Sequence, residues 1–179
     1  MKNDKEFNNI IKDILENKKV NEMKNYIQHS DVSCFDHCYN CSYYCYKICK
    51  KMKLDYVSAA RAAMLHDFFL YDWHIKNNRK GLHAFTHPMC AYENAKKEFN
   101  LNNIEKDIII KHMWPITLFL PRYKESFILT LVDKYSACME TLSYLIKCLS
   151  KKSVWQYGYL IIGFIILKYT ELKIKYFLI

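Results

Sequence analysis

The sequence predicts an all-α fold, a bundle of about six to eight helices, on three observations. Only three of its 179 residues are glycine and three are proline, fewer turn formers than sheet-rich or loop-rich folds use. Apolar side chains recur three and four residues apart, the period of a helix with one buried face. Nothing in the chain alternates strand with helix, so no α/β layering is expected. Hydrophobic residues make up 51%, which excludes a disordered chain. The length suits one domain with a real core, placed at residues 1–150 and followed by an apolar C-terminal segment, 151–179.

The elements follow in order. Phe7, Ile10, Ile11 and Ile14 mark a first helix over residues 4–16. Asp31 or Ser33 can cap a long helix that reaches Lys51. A connection at Leu54 leads to an Ala-rich helix from about Ser58, which ends on His66-Asp67. Residues 76–81 are polar and read as a loop. Thr86-His87-Pro88 reads as a helix start with Pro88 in the first helical position. That helix runs to Asn100, and the next runs from Asn103 to Met113, stopped by Pro115. Pro121 precedes a last long helix over 125–149. Residues 154–167 are apolar all round, a pattern that fits a core or dimer helix or a membrane anchor. At 1.5 Å per residue the segment spans about 21 Å, short of the roughly 30 Å hydrocarbon core.

The formal net charge is +9. Its lysines are scattered, and no Arg stripe with interleaved aromatics forms, so no specific nucleic-acid partner is expected. The N-terminal MKNDKEFNN lacks the apolar core of a secretory signal. A cytoplasmic chain with its eight cysteines reduced is therefore expected. Cys34, Cys38 and Cys41 have the C-x3-C-x2-C spacing of an iron–sulfur site. Cys45 and Cys49 continue the series at helical steps, so the five read as one buried stripe on a helix.

The chemistry lies in a constellation. His37 precedes the His66-Asp67 pair, His87 and His112 each stand beside a proline, and Asp133 lies on the last long helix. This order, with LHAFTHP, IIIKHMWP and LVDKYSA around the later members, resembles the HD-domain superfamily over residues 30–142. Its two extra histidines resemble the dinuclear branch in particular. The resemblance implies an HD-domain helical bundle and six metal ligands: His37, His66, Asp67, His87, His112 and Asp133. Four imidazoles and two carboxylates suit two divalent transition-metal ions, iron or manganese first and zinc next, better than calcium or magnesium alone. In such a site Asp67 bridges, His37, His66 and Asp133 serve one ion, and His87 and His112 serve the other. The implied activity is a phosphohydrolase cleaving a phosphoester or phosphoanhydride, in a nucleotide, through a metal-bound hydroxide. The alternatives are a mixed-valent di-iron oxygenase and a non-catalytic nucleotide sensor. Many dinuclear relatives carry a Lys where this chain has Leu70, and the GYP motif of cyclic-di-GMP enzymes is missing after His112. Phosphate contacts then fall to Arg79, Lys80, Arg122 or Lys134, and His83 can protonate the leaving group. A small phosphorylated substrate is the expected partner. Homodimerisation or membrane association would run through residues 154–167.

Overall fold

Helix signals written into the sequence are used where they stand. The computed structural model describes residues 4–75, 81–150, 157–159 and 161–169, and most of them are helical. Asp4 caps α1, Lys5–Ile10, and α2, Lys12–Glu16, follows it. α3, Lys18–Glu22, leads through a single 3-10 turn, Met23–Asn25, into a short antiparallel hairpin. Its strands are β1, Ile27–His29, and β2, Val32–Ser33. Ser33 then accepts the Asp36 amide at 3.1 Å and starts α4, Cys34–Lys51. Asp55 accepts the Ser58 amide at 2.9 Å at the head of α5, Tyr56–Leu65. α6 is His83–Glu98. Asn102 and Glu105 form a reciprocal capping box on α7, Asn103–Lys111. α8 is Lys124–Ser150. The expected all-α class holds, with one small two-stranded sheet.

Three expectations need correction. The first helix is interrupted at Ile11, whose backbone leaves the helical region. The Arg61 guanidinium donates to the Ile10 carbonyl at 3.1 Å, and a side chain inserted into a helix ladder bends it. Pro88 is not a first helical residue: α6 starts at His83, so His87 and Pro88 lie inside it. Thr86 and Phe85 already bond back to the Leu82 carbonyl, so the helix is established before the proline removes an amide. The hairpin was not expected at all, because strands of three and two residues are too short to show alternation.

The chain divides into two compact units, Met1–Glu140 and Thr141–Ile179. In the first, α4 packs on α5, α5 on α7, and α6 on α7. Cys34, Cys38, Cys41, Cys45 and Cys49 are all buried as free thiols, as the helical stripe requires. Ala59, Ala60, Ala62 and Ala63 are buried on α5, and Ser42 of α4 donates to the Ala60 carbonyl at 2.6 Å. Small side chains on both helices allow that approach. Phe7 anchors the N-terminal helices, its ring meeting Tyr39, Tyr43 and Tyr46 at 5.6, 5.2 and 5.4 Å. In the second unit residues 157–159 and 161–169 are helical, and Ile161, Ile162, Phe164 and Ile165 are exposed. Among the described residues no helix is long and apolar enough to cross a membrane. The rest of the expected 154–167 segment, with residues 76–80 of the expected polar loop, lies outside the described residues.

Candidate metal centre

Helix ends orient the histidines. His66 and His112 occupy the C-caps of α5 and α7, where backbone carbonyls lack helical partners. His66 Nδ1 bonds the Ala63 carbonyl at 2.8 Å, and His112 Nδ1 bonds the Ile109 carbonyl at 2.9 Å. A carbonyl only accepts, so each Nδ1 carries the hydrogen, and in the neutral ring Nε2 keeps the lone pair. His87, inside α6, repeats the device: its Nδ1 donates to the His83 carbonyl at 2.8 Å. His37 of α4 uses a carboxylate instead, its Nδ1 facing the two Glu140 oxygens at 3.1 and 3.0 Å.

The four Nε2 atoms converge on two buried carboxylates. Asp67 Oδ1 lies 3.1 Å from His87 Nε2 and 3.4 Å from His112 Nε2. Its Oδ2 lies 3.3 Å from His66 Nε2 and accepts from Gln28 Nε2 at 2.5 Å. Asp133 Oδ1 lies 3.1 Å from His37 Nε2 and 3.7 Å from His66 Nε2. His87 Nε2 and His112 Nε2 are 2.8 Å apart. With both Nδ1 atoms protonated, neutral rings would set two lone pairs face to face, so this approach needs a proton or a metal cation between them. His66 Nε2 and Asp67 Oδ1 are buried without a hydrogen-bond partner. Buried polar atoms in that condition mark sites for ions.

The electrostatics agree. Burial raises the Asp67 carboxyl, but His66 and His87 outweigh it and hold the group well below the usual carboxylate range. Asp133 is lowered in the same way by His37 and His66 against its own burial. Burial lowers His66, yet Asp67, Cys38 and Asp133 carry it well above an ordinary histidine. Burial of His112 prevails and holds it low. A metal ion bound here would compete with protons for the same imidazole nitrogens. Buried donors here can hold metal ions, in three adjoining groups that share His66 and Asp67: His37, Cys41, His66 and Asp133; Cys38, His66 and Asp67; and Asp67, His87 and His112.

A cavity of about 280 Å³ opens beside this cluster, walled by Trp73, His83, Met113, Ile116 and Lys134. All six expected ligands thus meet at one place. His83 and Lys134 line the cavity as well. His83 Nδ1 is 3.1 Å from the Tyr71 hydroxyl, and its ring stacks on Trp73 at 5.0 Å. Lys134 Nζ donates to the carbonyls of His112 and Thr130 at 3.2 and 3.3 Å, and burial lowers its pKa against the pull of Asp133. Arg79 and Lys80 lie outside the described residues. Arg122 lines a different recess, with Lys106 and Asp107. Gln28, Glu140 and the ligand-facing position of Cys41 escaped sequence reasoning. Glu140 carried a usable signal, because it lies two turns after Asp133 on the same face of α8. No protein-family model matches this chain, and no curated protein or solved structure matches it.

Proposed function

We propose that the chain is an HD-type metal-dependent phosphohydrolase that cleaves a phosphoester or phosphoanhydride, in a nucleotide. Two divalent transition-metal ions are held by His37, His66, Asp67, His87, His112 and Asp133. One observation carries this reading: four imidazoles give Nδ1 to an acceptor and turn Nε2 onto two buried carboxylates. The two oxygens of Asp67 face different histidines, His87 and His112 on one side and His66 on the other. That division supports two ions sharing Asp67. Ions bound there supply an acidic water and offset charge on the phosphoryl group.

The protein's own side chains have separable tasks. Gln28 fixes one oxygen of Asp67. His83, seated against Tyr71 and Trp73 at the cavity wall, is placed to give a proton to the leaving oxygen. Lys134, which also lines the cavity, brings positive charge to it. Met113 and Ile116 give the cavity apolar wall.

The test starts from protein purified without chelator. Elemental analysis should find iron, manganese or zinc. A panel of nucleotides and simple phosphoesters should release phosphate, and Asp67→Ala should abolish both the release and tight metal binding. A chain that takes up no transition metal removes the reading. Metal with dioxygen uptake and no phosphate release replaces the hydrolase with an oxygenase. Nucleotide binding without turnover replaces it with a sensor.

A further inference from the structure

We propose that Cys41 is itself a metal ligand, its thiolate completing the donor group of His37, His66 and Asp133. The inference rests on the metal centre proposed above and is independent of the reaction performed there.

Cys41 lies one turn after His37 on the same face of α4. Its Sγ is 3.6 Å from His37 Nε2, the nitrogen turned toward Asp133. Donor atoms of His37, Cys41, His66 and Asp133 all lie within 4.8 Å of one another, and all four residues are buried. With metal–nitrogen, metal–oxygen and metal–sulfur lengths of about 2.05, 2.1 and 2.3 Å, tetrahedral edges are about 3.6 Å for N···S and about 3.4 Å for N···O. The Cys41–His37 separation of 3.6 Å matches the first. The separations of Asp133 Oδ1 from His37 and His66, 3.1 and 3.7 Å, straddle the second. An independent feature points to the same place: His66 Nε2 is fully buried and has no hydrogen-bond partner.

Cys38 is the rival thiol, since it forms a buried group with His66 and Asp67, but that group offers three donors where the Cys41 group offers four. Cys38 Sγ is 3.6 Å from His66 Nδ1, the nitrogen that already donates to Ala63. Cys34 donates to the Asp67 carbonyl at 3.1 Å. Of the three thiols nearest the centre, Cys41 meets an imidazole on its lone-pair side. On coordination the Cys41 S–H bond breaks, the proton leaves to solvent, and the sulfur lone pair enters the metal–sulfur bond. A thiolate shifts the preference of this group toward zinc or ferrous iron and away from manganese. The Asp67–His87–His112 group has only nitrogen and oxygen donors, so the two groups should differ in the ion they favour.

The experiment uses the full chain, stripped of metal and reloaded with cobalt(II) or zinc. Cobalt should give a near-ultraviolet thiolate-to-cobalt charge-transfer band. X-ray absorption on the zinc form should show one sulfur at about 2.3 Å. Cys38→Ser should keep the band, and Cys41→Ser should lose it while His87 and His112 still hold metal. Should Cys41→Ser not fold, the sulfur count in the wild type and in Cys38→Ser decides. A band that survives Cys41→Ser overturns the proposal. So does bound zinc that depends on His66 but shows no sulfur neighbour, which leaves the metal centre standing and reduces Cys41 to a hydrogen-bond partner of His37. A chain that binds no metal overturns both.

Discussion

Glu140 accepts from His37 Nδ1 through a charged carboxylate, and that contact decides which ring nitrogen meets Asp133. Gln28 does comparable work on Asp67, holding one oxygen toward His66 while the other faces His87 and His112. Outer partners of this kind typically tune metal affinity by about 10–100-fold. Glu140→Ala, which removes both acceptor and charge, should weaken zinc binding by about that factor, and Glu140→Gln, which keeps an acceptor, by less. Gln28→Ala should fall in the same range. Competition against a chromophoric chelator reads all three, and wild-type affinity in Glu140→Ala would strip the contact of its positioning role. Lys134 presents a different case, since its ammonium also satisfies the His112 carbonyl at the end of α7. Lys134→Met should lower kcat/KM by about 10–100-fold, the loss of one charge-assisted phosphate contact, with metal content unchanged. Equal turnover in Lys134→Met and wild type would confine this lysine to helix capping.

Between elements, Asp107 of α7 fastens the start of α8. Its carboxylate accepts the Arg122 amide at 2.9 Å and the Ser126 hydroxyl at 2.8 Å, and pairs with Lys111 at 2.5 Å. Burial works to raise this carboxyl, but Lys111, the Arg122 amide and Ser126 prevail and hold it below the usual range. A lowered folded pKa gives stability that is present above the unfolded value of about 3.9 and is lost as pH falls through the folded value. Asp107→Asn should therefore destabilise the protein by about 1–3 kcal/mol at neutral pH, and its deficit should shrink on acidification. Urea unfolding at several pH values checks this, and a deficit that grows toward acid would contradict it. The elements also show what the sequence could reveal. Ser33 and Pro121 were legible because a cap or a break acts locally. Pro88 misled because a proline at a first helical position and one inside an established helix look alike in sequence, and tertiary contacts choose between them. Gln28 was hidden because its strand, Ile27–His29, is too short to show alternation. The six expected donors were legible as an ordered pattern, whereas Nδ1 placement, and with it the direction of each Nε2, depends on backbone carbonyls and on Glu140, which only the folded chain brings into reach.

At the scale of the first unit, Met1–Glu140, the cluster concentrates an electrostatic problem that a metal would resolve. Donors arrive from α4, the ends of α5 and α7, the interior of α6 and the middle of α8. Five segments distant in sequence must bring like-oriented nitrogen lone pairs and two carboxylates out of water together, and burying such groups is costly unless a cation offsets them. The unfolded chain holds none of these donors in place, so an ion that binds the native arrangement stabilises it by mass action. At a free ion concentration 100 times Kd, one site contributes about 2.7 kcal/mol. For a chain of this size that corresponds to a Tm rise of about 5–11 °C. Thermal unfolding followed by circular dichroism should thus show a clear drop in Tm when a chelator is added, restored by excess zinc or manganese. Asp67→Ala separates this from a general effect of chelator or salt: having lost the shared carboxylate, it should start from a lower Tm and respond weakly to either addition. The stabilisation should also follow the logarithm of free metal, since it arises from binding to the folded state alone. A wild-type Tm indifferent to chelator and to added metal would mean that the convergence of His37, His66, His87 and His112 is held by protons and packing, and the metal assignment would have to be withdrawn.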